Sequence, residues 1–368
     1  MGALNTLSAV EAARQIAAKK ITSEALVRDC LDRVAARESD VQAWAYIDVD
    51  AALAQARAAD AGPGRGLLHG VPVGVKDLID TIDMPTAYGS PVYAGHRPAW
   101  DASCVALTRA AGGIVLGKTV TTEFANMHPG KTRNPHNAGH TPGGSSSGSA
   151  AAVADFMVPL AFGTQTAGSI IRPASYCGVV GYKPSFGLLS RVGVKALSDT
   201  LDTVGTIART VPDAAFFAAA ISGRHELIVD KPLAGKLRIG ICRTYEWKHA
   251  RDETMAALES AARTLATAGA VVGEIKLPPT YASLVPAQID IMFAEQVQSL
   301  AHERLAHWPQ ISARLQGLLA EGLKVTHERY DAAQVLARNC RRTLADVFAD
   351  CDVLLAPSAP GAAPAGLD

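Results

Sequence analysis

Aromatic residues make up only 5% of this 368-residue chain, and basic and acidic side chains balance at 35 each. The first scarcity argues against a base-stacking surface, and the balance argues against a field that gathers nucleic acid or anionic membrane. No apolar run reaches the ~18 residues that a membrane helix needs. Cysteine is sparse as well: Cys30, Cys104, Cys177, Cys242, Cys340 and Cys351 are scattered, with no CxxC pair. That spacing argues against a zinc site and against a disulfide framework, so no metal is expected and a reducing cytoplasm is. The opening MGALNTLSAVEAARQ lacks the basic-then-apolar order of a secretory leader, and its MGALNT meets the myristoylation pattern only as many chance sequences do.

What is present describes a globular chain with a large core: 48% hydrophobic and 19% charged residues. Apolar spacing predicts amphipathic helices over 7–18 and 23–36, with Ser8 and Ser23 as candidate caps, and another over 49–59. A helix near 103–112 leads into GGIVLGKT, which reads as a buried strand. After 230, KLRIGICR, a helix over 252–268 and AVVGEIKLP alternate, followed by helical stretches near 283–307 and 326–349 and by the strand-like CDVLLAP. Helices alternating with short apolar strands indicate an α/β layer fold.

Two motif matches fail on physical grounds, and a third motif is absent. GGIVLGKT satisfies the pattern of a phosphate-binding loop, but Ile114, Val115 and Leu116 belong in a strand interior rather than a glycine-rich turn. GSSSG at 144–148 satisfies the nucleophile-elbow pattern, yet the preceding RNPHNAGHTPG cannot be the buried strand an elbow requires. Among the ten histidines there is no HExxH, which removes the sequence support for a zinc hydrolase.

Three segments place polar residues in glycine-rich, otherwise apolar surroundings. In HGVPVGVKDLID, Lys76 ends a strand-like run. If buried it shifts toward neutrality and serves as a base; the competing reading is a strand end from which the lysine reaches water. In TPGGSSSGSAAAVADF the composition suggests a flexible linker, but the serines run directly into a helix-forming stretch. In GTQTAGSIIRPAS, Ser169 follows Thr-Ala-Gly, where a capping serine in a tight turn is the competing reading.

Taken together and in order, GVPVGVKD, GKTVTTEFA, PGGSSSGSA and TAGSIIRPAS resemble the amidase signature family, whose members typically read GVPxxxKD, PGGSSGGSA and TGGS. The specific core of the resemblance covers roughly residues 65–190. It implies a large mixed β-sheet covered by helices on both faces, with the C-terminal part of the family fold absent from a chain that stops at Asp368. It also implies one amidase domain over 1–368: an N-terminal helical segment (1–60), the signature core (65–190) and a helix/strand remainder (191–368).

In chemical terms the resemblance implies a Ser–cis-Ser–Lys triad. Ser169 aligns with the nucleophile, Ser145 with the bridging serine after a cis Gly144–Ser145 peptide, and Lys76 with the base. The backbone amides of Thr166, Ala167, Gly168 and Ser169 would form the oxyanion hole. The chain departs from the family at Ala167, where glycine is usual; a positive φ there would cost alanine about 1–2 kcal/mol. Arg172 is expected either to fork onto a substrate carboxylate or to pair structurally with an acid or carbonyls. Thr164, Ser146 and Asp77 are expected to hydrogen-bond the site from behind. The implied activity is hydrolysis of a small carboxamide, malonamidase-like, with no cofactor. The implied partners are the small-molecule amide and at most a second copy of the chain, with neither nucleic acid nor membrane. Two other readings stand beside it: a glutamine-hydrolysing subunit of an aminoacyl-tRNA amidotransferase, and an impaired amidase-fold binding protein.

Overall fold

The computed structural model describes residues 3–230 and 235–367. Gly2, which a myristoylation pattern would modify, and Asp368 lie outside them. Helices α1 (Ala9–Ala17) and α2 (Ser23–Val41) form where the apolar spacing predicts them, and Ser8 caps α1 by accepting from the Glu11 N–H. At α2 the cap is Thr22, which accepts from the Ala25 N–H, whereas Ser23 is the first helical residue. The free Ser23 and Glu24 amides are taken by Asp60, a partner that local spacing does not announce.

The chain divides into two compact units: Met1–Asp230 with Ser299–Gly317 and Ala363–Asp368, and Lys231–Gln298 with Leu318–Ala362. The first continues through β1 (Trp44–Ile47), α3 (Val49–Ala61), β2 (Pro72–Lys76), α4 (Ser103–Ala110) and β3 (Ile114–Thr119). It goes on through α5 (Ser147–Ala154), β4 (Leu160–Gln165), α6 (Ile171–Tyr176), β5 (Val180–Tyr182), β6 (Thr203–Ala208) and α7 (Val211–Ser222). Its strands make a six-stranded mixed sheet in the order β1-β3-β2-β4-β6-β5. The central β3, β2 and β4 are parallel, and β1, β6 and β5 pair antiparallel.

Strand alternation decides which helices cover which face. Ile114, Leu116 and Ala161 pack with α2, α3 and α5, whereas Val115, Leu160 and Phe162 pack with α4 and α7. Apart from the single methyl of Ala161, each such fully buried aliphatic or aromatic side chain stabilises the fold by about 1.5–3 kcal/mol. All but the first two residues of the phosphate-loop pattern therefore lie inside β3, with every residue of the strand buried. Strands β4 (LAFGTQ) and β6 (TVGTIA) escape a reading by apolar runs because glycine and threonine interrupt them. Their glycines pair with each other, Gly163 against Gly205, and a Cβ on Gly205 would lie 2.3 Å from the Tyr182 carbonyl oxygen.

The second unit holds a three-stranded parallel sheet ordered β8-β7-β9, from β7 (Arg238–Ile241), β8 (Val271–Glu274) and β9 (Val353–Leu355). Helices α8 (Asp252–Thr267) and α9 (Leu284–Ser299) fall close to their expected places. The helix expected over 283–307 breaks at Leu300, and its remainder, the short α10 (Ala301–Ala306), belongs to the first unit. Helices α11 (Ala313–Gly322) and α12 (His327–Val347) complete the series.

Candidate active site

Three adjoining pieces of the first sheet supply the candidate residues. Strand β2 ends at Lys76, residues 141–146 lead into α5, and β4 ends at Gln165 before a turn that opens α6. Glycine lets the second piece approach: a Cβ on Gly148 would lie 2.2 Å from the Ala43 carbonyl oxygen and 2.4 Å from the Val120 nitrogen. The serine-rich stretch is thus no linker, since all of Ser147–Val153 is buried.

Lys76 is fully buried, its Nζ 2.7 Å from Ser145 Oγ, 2.7 Å from Thr164 Oγ1 and 3.4 Å from the Thr164 carbonyl oxygen. Burial drives its amine well below the usual lysine range, and the field of Asp202 opposes that push. The strand end does not release this lysine to water. A neutral amine has two N–H donors and one lone pair. The Thr164 carbonyl can only accept, and the Thr164 hydroxyl can accept as well, which leaves the lone pair for the Ser145 hydroxyl proton.

The Gly144–Ser145 peptide is cis. The Ser145 carbonyl accepts from the Thr122 amide at 3.3 Å, and Arg172 Nη2 donates to the Gly144 carbonyl at 2.7 Å. Ser146 ties the loop to β4: its hydroxyl donates to the Thr164 carbonyl and accepts from the Thr164 amide, both at 3.3 Å. Its own amide donates to the Ser169 carbonyl at 3.2 Å. Ser169 is nearly buried, at 8% exposure, and among the described residues its Oγ has no hydrogen-bond partner. Lys76, Ser145 and Thr164 are therefore joined by side-chain hydrogen bonds, whereas Ser169 is joined to them through the backbone.

The turn before Ser169 is held from inside by Gln165. Its Oε1 accepts from the Ile170 and Ile171 amides at 2.9 and 3.1 Å, and its Nε2 donates to the Ala167 carbonyl at 2.8 Å. Among the described residues, the amides of Thr166, Ala167, Gly168 and Ser169 have no acceptor, so four adjacent donors remain unspent. Ala167 does not have a positive φ, and the strain cost considered for alanine does not arise.

Arg172 takes up the structural alternative, a backbone carbonyl, while also lining a cavity of about 200 Å³ with Thr122, Gly143, Gly144, Tyr176 and Arg314. Asp77 turns away from Lys76. Its carboxylate accepts from the Ala87 amide at 3.2 Å and pairs with the buried Lys118 at 3.3 Å, and Lys118 also donates to the Ile79 carbonyl at 2.8 Å. Gln165, Lys118 and Asp202 are the surrounding residues that sequence reasoning passes over. Of these, Lys118 carries the signal that singles out Lys76, a lysine closing an apolar run.

Among the described residues there is no group of three or more His, Cys, Asp or Glu side chains able to hold a metal ion, and no helix long and apolar enough to cross a membrane. A family model described as Amidase matches residues 25–366. A glutamyl-tRNA(Gln) amidotransferase subunit from Acidothermus cellulolyticus is 43% identical over 295 residues, covering 74% of this chain and 58% of that protein's length. Its counterpart from Thiobacillus denitrificans is 35% identical, over 97% of this chain and 83% of that protein. A crystal structure of an amidase superposes with a TM-score of 0.90 at 30% identity, covering 98% of this chain and 83% of the other. These relatives correct the expectation about partners. Proteins named as subunits of a glutamyl-tRNA(Gln) enzyme do not fit a small molecule as the sole partner, with nucleic acid excluded and at most a second copy of the chain.

Proposed function

Because the chain belongs to the amidase family of amide-hydrolysing enzymes, we propose that it cleaves a carboxamide through an acyl-enzyme on Ser169. The observation that carries this reading is the fully buried Lys76 with Ser145 Oγ 2.7 Å from its Nζ. Neutral Lys76 takes the Ser145 hydroxyl proton, Ser145 takes that of Ser169, and Ser169 Oγ attacks the carbonyl carbon. The oxygen that becomes negative turns toward the unspent amides of residues 166–169. The proton then returns through Ser145 to the leaving nitrogen, ammonia departs, and water cleaves the ester. Arg172 fixes the Gly144 carbonyl, and with it the peptide that aims Ser145.

On likeness to the amidotransferase subunits, the substrate is the side-chain carboxamide of glutamine, and the ammonia serves a glutamyl-tRNA(Gln)-dependent partner. A second reading, a free-standing hydrolase of a short carboxylate-bearing amide of the malonamidase-like kind, draws on the amidase of TM-score 0.90 and on Arg172 at the cavity wall. Six free thiols accord with a cytoplasmic setting.

Ammonia release from L-glutamine and from a panel of short amides, with and without Ser169→Ala, tests both. Equal release from the two proteins rejects the acyl-enzyme. Release confined to short amides rejects glutamine. A fluorophosphonate should label Ser169 in the unaltered chain and fail to do so in Lys76→Ala.

A further inference from the structure

Among the buried titratable groups with no part in that chemistry is Asp202, beside the first residue of β6. Its Oδ1 accepts from the Thr166 hydroxyl at 2.5 Å, and its Oδ2 accepts from the Leu197 and Ser198 amides at 2.8 and 3.0 Å. Asp202, Thr164 and Thr166 together line a small cavity of about 10 Å³, whose other walls include Val194 and Lys195. That volume suits about one water, and the three side chains offer it polar partners. Asp202, Val194 and Arg191 also wall a second, open cavity of about 320 Å³, which Asp199 lines as well. Asp202, together with Arg191, is thus a polar wall shared by a water-sized chamber and an open one. Across the chamber stands Thr164, whose Oγ1 is 2.7 Å from Lys76 Nζ. None of the residues of these two cavities lines the cavity of Gly144 and Arg172.

We infer that Asp202 is the proton-transfer residue joining Lys76 to solvent, by way of Thr164 Oγ1 and one water in the small chamber. The inference rests on the acyl-enzyme reading, which creates the need for it. If ammonia leaves neutral and the cleaved acid leaves as a carboxylate, each turnover deposits one proton, and Lys76 is the base that receives it. A protonated Lys76 cannot start the next cycle. In the relay an Nζ–H bond breaks and Thr164 Oγ1 takes that proton while giving its own to the water. The water passes a proton to the Asp202 carboxylate, and the carboxylic acid releases it into the open cavity. The net change is one proton lost from Lys76 to bulk water.

The surroundings fit the task. Burial raises the Asp202 carboxyl above the usual range while it lowers the Lys76 amine, so the two groups approach each other in proton affinity. The other charges facing Asp202 are Arg191, which opposes that rise, Lys195, which is paired with Glu303 at 2.5 Å, and Asp199, 3.9 Å from Arg191.

The test separates acylation from turnover. Asp202→Asn and the chamber-filling Val194→Leu are compared with the unaltered chain in two assays: fluorophosphonate labelling of Ser169, and steady-state ammonia release from the amide that the panel selects. Stoichiometric labelling also counts correctly folded sites. The expected result is labelling within a few-fold of normal in both variants, with turnover lowered about tenfold or more. In Asp202→Asn the labelling profile moves to lower pH, because the charge favouring protonated Lys76 is gone, and turnover recovers as imidazole buffer is added. The inference is overturned by turnover that stays normal in both variants. It is equally overturned by labelling and turnover that fall together without response to buffer, which would make Asp202 only a brace for Thr166. If the unaltered chain is not labelled at Ser169, the acyl-enzyme reading itself fails.

Discussion

A lysine closed off from water with no carboxylate hydrogen-bonded to it is favoured in its neutral form, and at Lys76 this couples stability to pH. Burial holds its pKa well below the ordinary value near 10.4. Between those two values the unfolded chain carries one more proton than the native one, so the lysine's contribution to stability improves as pH rises through that window. Replacement by methionine removes the coupling. In urea denaturation from pH 7 to pH 10, the stability of the unaltered chain relative to Lys76→Met should climb by up to ~1.4 kcal/mol per pH unit. A flat difference would mean that the lysine is charged in the native state. Amide hydrolysis by the variant should fall on the order of 10³-fold. At this scale the sequence is most legible where a polar residue interrupts an apolar or glycine-rich frame, as at Lys76, Ser145 and Ser169. Asp202 has no such frame: SDTLDTVG reads as an ordinary polar loop entering a strand, and only the packing of that loop against Thr166 gives the carboxylate a role. The acceptor chosen by Arg172 is equally hidden, because a carbonyl's direction leaves no mark on residue type.

Among the elements, α5 shows how composition misleads when it is read without packing. GGSSSGSA has linker chemistry, yet each serine after Ser145 reaches a fixed partner. Ser147 Oγ donates to the Val120 carbonyl at 3.3 Å, and Ser149 Oγ donates to the Phe162 carbonyl at 2.8 Å while lying 2.6 Å from Thr119 Oγ1. The helix sits so close to the strands that Gly148 has no room for a methyl group. Helix propensity favours alanine over glycine by about 1 kcal/mol. The steric term opposes it, because the added Cβ would meet backbone atoms of Ala43 and Val120, which cannot rotate aside. The steric term should win, with Gly148→Ala lowering stability by about 2–3 kcal/mol in denaturant titration. A neutral or stabilising result would mean that α5 can withdraw from β3. Elements with a clear apolar period, such as α1, α2 and β3, could be located in advance, and their packing could not.

For the whole molecule, the question is whether 1–368 behaves as one cooperative domain or as two units of different strength. The six cysteines are placed to answer it, because all are free and buried, with Cys30, Cys104 and Cys177 in the first unit and Cys242, Cys340 and Cys351 in the second. Burial pushes the first three thiols up to about 12, so none of them reacts readily while its surroundings stay closed. The cores differ in kind. A six-stranded sheet in the first unit carries an extensive apolar cluster on each face, whereas a buried cluster of the second centres on Tyr281, Cys340 and Val347 beside a three-stranded sheet. Local opening costs least where little apolar surface is closed. Alkylation along a urea gradient, read site by site by mass spectrometry, should therefore modify Cys242, Cys340 and Cys351 at lower denaturant than Cys30, Cys104 and Cys177. Loss of all six thiols at a single midpoint would instead make the chain one domain, and the prediction would be wrong. The order also bears on function, since Lys76, Ser145, Thr164, Ser169 and Asp202 all belong to the first unit. Fluorophosphonate labelling of Ser169 should then persist through the first wave of alkylation and disappear with the second.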